Sequence, residues 1–230
     1  MPPVIVIRPE PGNARTVAAA RGMGMEAHGF PLFTLRPVEW DTSGAASFDA
    51  LLIGSANAMR HGGPQLAALR LLPAFCVGEA TARAAREAGM RVEGVGEGHL
   101  QPVIDRIAPR YRRLLRLCGR ERVAVTVPPG TVLEERVVYA SDPLPMPDGL
   151  RAMLARPAVV MLHSAEAGRH FARLVDHAGL PREATALAAI APRVIGAAGP
   201  GWRDVRSAVR PDDKALLALA SQMCQTAGSG

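Results

Sequence analysis

Lysine is nearly missing from this chain: Lys214 is the only one, so almost all of the positive charge is arginine. With 27 basic against 21 acidic residues, that charge is carried by planar guanidinium forks, which suit carboxylate and phosphate groups. Aromatic residues are scarce too, at 4%, so the interior has to be built from Ala, Leu, Val and Ile, as in helix-covered parallel sheets. The three cysteines, Cys76, Cys118 and Cys224, stand far apart with no CxxC spacing. They read as small core residues in a reducing compartment. No apolar run approaches the roughly 20 residues of a membrane span. Met1 to Arg8 has neither a basic lead nor a long apolar stretch, so no signal peptide is expected. A cytoplasmic protein that does not bind membrane is the expectation.

Several chemistries lack their motifs. There is no GxxxxGK[ST], and Gly94-Val95-Gly96-Glu97-Gly98 has the wrong spacing for a dinucleotide loop, which argues against a nucleotide cofactor. The six histidines form neither HxH nor HExxH, and His170 with His177 reads as a surface pair on one helix face, so no metal is expected. Arg110, Arg112, Arg113 and Arg116 cluster, but only Tyr111 lies among them. That run reads as a solvated helix face rather than a nucleic-acid surface.

What the sequence does contain is a repeated strand, serine, helix unit. Phe48 to Gly62 reads as a buried strand that stops at Ser55 and turns into a helix, and Ala158 to Phe171 repeats it around Ser164, 109 residues on. Downstream, the segment around Gly78 has a partner around Ala191, at an offset of 113. A serine at such a turn accepts a backbone NH of the first helical turn and leaves the others free. Free NH groups at the positive end of a helix attract anions. In parallel sheets these turns share the carboxyl edge, so two copies offer two anion-seeking edges, and a cleft if the copies face each other.

Taken in order, Val4 to Ile7 is a strand, and Asn13 is positioned to cap the helix Ala14 to Arg21. Met25 to Phe30 is a second strand. The proline-broken stretch Pro31 to Trp40 reads as extended chain leaving one sheet. Gly62-Gly63-Pro64 separates two helices, the second reaching Leu72. Strands at Ala74 to Val77, Met90 to Val95 and Leu114 to Leu117 alternate with helices at Glu79 to Ala88 and Pro102 to Arg113, the signature of parallel β-α-β crossovers. Arg122 to Val127 reads as either strand or short helix before Pro128-Pro129-Gly130 breaks it. The proline-rich Ser141 to Pro147 mirrors the first linker, which makes one domain discontinuous. Later helices and strands repeat the pattern, and the tail Thr226 to Gly230 is expected to be disordered. The chain is long enough for two α/β domains of about 100 to 120 residues: residues 1–35 with 147–230, and residues 41–136, joined by linker strands 36–40 and 137–146.

Tyr139 is one of only two tyrosines and sits where a strand enters the second linker. Its phenol, protonated at pH 7, can give a proton to a leaving hydroxyl; the other reading is a tyrosine that anchors the joint.

The order of these segments over nearly the whole chain resembles the uroporphyrinogen-III synthase family. The matching stretches are Val4 to Pro9, Gly24-Met25-Glu26 with Pro31, Phe48 to Ala58, Val77 to Ala82 with Gly89, Leu117 to Arg120, Val138-Tyr139, Ser164, and Ile190-Ala191-Pro192. The resemblance implies two flavodoxin-like parallel-sheet domains joined by a two-stranded antiparallel linker. It also implies cyclisation of the linear tetrapyrrole hydroxymethylbilane to uroporphyrinogen III, with inversion of ring D, loss of water and no cofactor. It makes Tyr139 the proton donor. Arg8, Ser55, Ala56, Asn57, Gly78, Thr81, Ser164, Ala165 and Arg193 become the substrate-binding candidates, largely through backbone NH groups. The chain departs from the family in having Arg193-Val194 where a threonine pair is common, and a short segment from Gly119 to Tyr139 whose expected helix is poorly written. A monomer acting on a small molecule, without nucleic acid, is expected; the rival reading is a non-catalytic, two-lobed protein that binds tetrapyrroles or polyanions.

Overall fold

The structure, a computed structural model, describes residues 1–226. The chain forms a mixed α/β fold with two sheets, and it divides into two compact units, Met1–Thr34 with the chain from Asp142 onward, and Leu35–Ser141.

In the first unit, β1 (Val4–Val6), β2 (Ala27–Gly29), β9 (Ala158–Leu162), β10 (Thr185–Ala189) and β11 (Asp204–Ser207) form a parallel sheet in the order β11-β10-β9-β1-β2. Its central strands are continuous apolar runs because helices cover both faces. Ile5, Val160, Leu162 and Leu187 point to a core with Phe171 and Val194. That core is closed by α5 (Asp148–Leu154), α6 (Ala165–His177) and α7 (Pro192–Ala198). The alternate residues Val4, Val6, Val159 and Met161 pack with Val17 and Leu216, which belong to α1 (Gly12–Gly22) and α8 (Asp213–Thr226). Alanines at 186 and 188 keep that second face flat enough for close helix packing.

In the second unit, β4 (Ala50–Ile53), β5 (Pro73–Cys76), β6 (Arg91–Val95), β7 (Arg113–Gly119) and β8 (Val132–Pro143) are parallel, with β3 (Phe33–Pro37) added at the edge, in the order β3-β8-β7-β4-β5-β6. Val38 pairs with Val138 and Leu32 with Leu144, so β3 and β8 run antiparallel. Leu51, Ile53 and Cys76 pack under α2 (Ala56–His61) and α3 (Glu79–Glu87), whereas Ala50, Leu52 and Phe75 meet α4 (Leu100–Ile107).

Within each unit the sheets have the same spatial order with a permuted chain. Reading β9, β10, β11, β1, β2 as one series and β4, β5, β6, β7, β8 as the other, both follow 3-2-1-4-5. The repeat visible in the sequence, β4-α2-β5 against β9-α6-β10, is the unpermuted part. The order reverses between β4 and β7 in one unit and between β9 and β1 in the other, and such switch points are where open α/β sheets bind ligands.

The permutation also places α1, between β1 and β2, as the counterpart of the connection between β7 and β8. That connection, 120–131, contains no helix. The reading of Arg122 to Val127 as strand or helix is therefore corrected: it is an irregular strap. Prolines 128 and 129 bar a helix, and the residue a covering helix would rest on is Arg116. This arginine is only 5% exposed; it donates to Val123 O at 3.0 Å and Glu135 Oε1 at 2.9 Å. The Gln101 side chain holds the other end, donating to Thr126 O and accepting from Thr126 N–H.

Other local expectations need correction. The run Arg110 to Arg116 is not one helix face: α4 stops at Ile107, because Pro109 disfavours helix in the residue before it, and β7 begins at Arg113. Asn13 is not a cap. The helix starts at Gly12, two residues earlier than expected, and the Asn13 amide turns back to donate to Val6 O at 2.7 Å and Arg8 O at 3.1 Å. The helix after Pro64 is a short 3-10 turn, Pro64–Leu69. His170 is not at the surface; it is buried, with Nε2 2.8 Å from Leu144 O and its ring against Phe33. Thr226 closes α8, and the rest of the expected tail, 227–230, lies outside the described residues.

Candidate functional site

Both predicted capping serines cap. Ser55 Oγ accepts Asn57 N–H at 3.2 Å and Ser164 Oγ accepts Ala167 N–H at 3.1 Å, each from an extended backbone that cannot itself be helical. Gly78 and Ala191 hold the equivalent positions before α3 and α7 with no side-chain cap; this leaves the first NH groups of α3 available, whereas α7 opens on Pro192, which has none. Gly78 sits beside the backbone of Gly96 and Gly98.

In the second unit the structure brings Tyr139, Ser55, Ala56, Asn57, Gly78 and Thr81 to the carboxyl edge of one sheet, Ser55 after β4 and Gly78 after β5. Tyr139 is half-buried, with the Ser55 hydroxyl near its phenol. Burial raises the phenol pKa above the ordinary value, and the nearby Ser55 hydroxyl offsets part of that rise. Ser55 Oγ accepts from Asn57 N–H, which leaves its own hydrogen uncommitted. His61, the last residue of α2, lies with its ring centroid 6.1 Å from that of Tyr139; burial, and then the charge of Arg60, lowers its pKa and keeps it neutral at pH 7. Thr81 is buried in the first turn of α3. Asn57 Oδ1 accepts from Arg60, so the side chain is committed locally and its backbone NH to Ser55.

Gly119, in the sequence only part of a stretch matching the family, touches Tyr139: a Cβ placed on it would stand 2.6 Å from the ring. The available signal was a glycine ending an apolar strand, which marks a close approach.

In the first unit Arg8, Ser164, Ala165 and Arg193 lie at or just past the carboxyl edge, Arg8 after β1 and Ser164 after β9. Arg193 is exposed in the first turn of α7, with no hydrogen bond or ion pair to another described residue. Arg8 is differently employed: its Nη1 is 2.8 Å from both Asp213 oxygens and 3.4 Å from Thr16 Oγ1. His163, whose side chain is only 8% exposed, sets Nε2 3.2 Å from Asp213 Oδ1, too poorly aligned for a full hydrogen bond. Burial, then Arg8, lowers the His163 pKa against the opposing pull of Asp213. No spacing rule joins residues 8, 163 and 213, so this cluster escaped the sequence reading. Among the described residues no group of three His, Cys, Asp or Glu is placed to hold a metal ion.

The cluster carries a pH prediction. Burial would raise the Asp213 carboxyl, but the contact with His163 and the charge of Arg8 prevail and hold it at about 2. A carboxylate depressed in the folded state stabilises above its ordinary pKa and loses that contribution as pH falls, here between about pH 4 and pH 2. Since Asp213 is 45% exposed, the contribution discounts to about 1 kcal/mol. Denaturant midpoints of the unaltered protein and of Asp213→Asn should differ at neutral pH and converge as pH falls through that window. A constant gap would rule this out.

The family described as Uroporphyrinogen-III synthase HemD matches residues 14–218. No curated protein matches the chain. Among solved structures, uroporphyrinogen-III synthetase from Helicobacter pylori superposes with a TM-score of 0.62 at 17% identity, covering 97% of this chain and 100% of that one. A mutant uroporphyrinogen III synthase from the extremely thermophilic bacterium Thermus thermophilus superposes with a TM-score of 0.51 at 16% identity, covering 97% and 99%. At these identities the superpositions speak for the fold.

Proposed function

Since the chain belongs to the uroporphyrinogen-III synthase family, we propose that Tyr139 is the proton donor with which it closes hydroxymethylbilane to uroporphyrinogen III. The observation that carries this is the half-buried phenol of Tyr139, its ring laid across the end of β7 at Gly119 with the Ser55 hydroxyl near it, beside the switch point of its sheet. The leaving hydroxyl needs a proton to depart as water, and the pyrrole nitrogen supplies the electron pair, leaving a delocalised azafulvene cation. Tyr139 gives that proton. Attack through C16 forms the spiro intermediate; the older bond at C16 then breaks, and the carbon it frees re-closes on the unsubstituted carbon across the ring D nitrogen, which leaves ring D inverted, and loss of that carbon's hydrogen as a proton rearomatises the pyrrole and restores the phenol. Protons therefore balance over the cycle, and no outside acid is consumed.

A phenol with a raised pKa is a weak acid, so it cannot drive the departure by acidity alone. Its merit is being fully protonated at working pH, and it acts on a leaving group already pushed out by the pyrrole. Holding the bilane in the reactive shape is the larger part of the task. For that, the NH groups after Ser55 and Gly78 in the second unit are suited to carboxylates of the substrate, and in the first unit, taken by itself, so are the NH groups after Ser164 and the guanidinium of Arg193. Arg8 serves here through Asp213, by fixing the start of α8. Because the Tyr139 pKa is raised, the acid form persists up to that value, and kcat should show no loss between about pH 7 and pH 9 from this group.

The finer architecture follows the same reading: two flavodoxin-like domains, 1–35 with 147–230 and 41–136, with 36–40 and 137–146 as linker strands. The antiparallel pairing of β3 with β8 supports the linker, and the permuted 3-2-1-4-5 orders support a common ancestor sheet. An arginine cluster dispersed between loop and strand supports a protein that does not bind nucleic acid, and a cytoplasmic monomer remains part of the proposal. No helix among the described residues is long and apolar enough to cross a membrane.

The test is to supply freshly generated hydroxymethylbilane, oxidise the products and resolve the uroporphyrin isomers. Predominantly isomer III supports the proposal. Isomer I alone, at the spontaneous rate, would mean that the sheets bind polyanions without chemistry.

A further inference from the structure

β7 and β8 run in parallel register from Arg113 opposite Val132 to Cys118 opposite Val137, and then the register slips. Gly119 stands opposite Tyr139, so one residue of β8, Val138, is extra. A bulge of this kind bends the strand and re-aims the side chain that follows it. Val138 is buried in the core under α2 and α3, and Tyr139 is laid across the end of β7. A Cβ on Gly119 would lie 2.6 Å from Tyr139 Cζ, 2.8 Å from Cε2 and 2.9 Å from Oη. Real Cβ contacts do not come so close, so the ring occupies the space a side chain would need. Gly119 is not among the residues of positive φ; the requirement for glycine is space alone. Arg120 N–H donates to Tyr139 O at 2.9 Å and ties the two strand ends together at that point.

We infer that Gly119 is a positioning residue, the seat on which the Tyr139 ring lies and which fixes where its hydroxyl stands. This rests on the reading of Tyr139 as the proton donor and adds what holds the phenol in register. Any side chain at 119 pushes the ring along or off the strand end, and the part nearest the clash is the hydroxyl end that carries the proton. A displacement of about 1 Å in a reacting group costs up to about 100-fold in rate, so the glycine is a condition of the chemistry.

The experiment compares Gly119→Ala, Tyr139→Phe and the double variant for kcat, KM and the fraction of isomer III formed from hydroxymethylbilane. Gly119→Ala is expected to lower kcat by about 10- to 100-fold with KM little changed, and to add no further loss once Tyr139 is Phe. Losses that multiply, or an inert Gly119→Ala beside an impaired Tyr139→Phe, overturn the inference alone. A Tyr139→Phe protein with unchanged isomer ratio overturns the proton-donor reading, and the catalytic meaning of the seat with it.

Two further measurements keep the inference testable if Gly119→Ala folds poorly. With Tyr139→Ala, which removes the ring, Gly119→Ala should cost no stability; an equal cost in both backgrounds counts against the seat. Because Tyr111 is the only other tyrosine, a Tyr111→Phe background lets tyrosinate absorbance follow Tyr139 alone. Adding Gly119→Ala there should move its titration back toward the ordinary phenol value, and an unmoved titration contradicts the displacement.

Discussion

Tyr139→Phe is expected to lower kcat for isomer III by about 100- to 1,000-fold, within the usual range for loss of a general acid. The fold should survive. The ring still fills the space over Gly119, and Ser55 Oγ keeps its bond from Asn57 N–H, so no buried group is orphaned. Only the donated proton goes. The product should shift as well as the rate, because closure without inversion proceeds unaided and isomer I accumulates when the assisted path is slow. Isomer resolution at several times is the check, and a product ratio equal to that of the unaltered protein would remove Tyr139 from the mechanism.

Glu135→Ala should have the largest effect on stability, about 3 kcal/mol, through the charge it strands. Arg116 is buried with Nε already lacking a partner, and Glu135 is its only anionic neighbour among the described residues, at 2.9 Å. Glu135 also accepts from Arg122 Nε at 2.6 Å, which ties the strap 120–131 to β8. Removing the carboxylate leaves a buried guanidinium and releases one end of the strap. Arg116→Met with Glu135→Gln should be close to neutral, since breaking a buried pair costs far more than replacing both members. Two units need not unfold together, so proteolysis within 120–131 is a better readout than one global midpoint. A Glu135→Ala protein as resistant as the parent would mean that the clamp does not hold the strap. Because Arg120 binds Tyr139 O where the strap begins, a loosened strap should also lower the isomer III fraction.

Much of the molecule could be read locally. Strands β1, β4, β9 and β10 announce themselves as continuous apolar runs because both faces of a parallel sheet are covered. Ser55 and Ser164 announce the helix starts because a hydroxyl at that place satisfies an NH that nothing else will. The misreadings share a cause. Asn13, Arg116 and His170 are polar residues whose types suggest caps and surfaces, and each is buried by a partner distant from any spacing rule: Val6 O, Glu135 and Leu144 O. A polar group goes inside only when its hydrogen bonds are met there, and the partner that meets them is chosen by folding.

Composition and periodicity alone settle that this is an arginine-charged, aromatic-poor α/β chain with a repeated strand, serine, helix unit, since those properties depend on neighbours a few residues apart. The permuted strand order, the bulge that lays Tyr139 over Gly119, and the engagement of Arg8 by Asp213 and His163 belong to the tertiary structure. They join strands and side chains from 20 to 205 residues apart, and their energies come from space and charge that exist only once the sheets have formed.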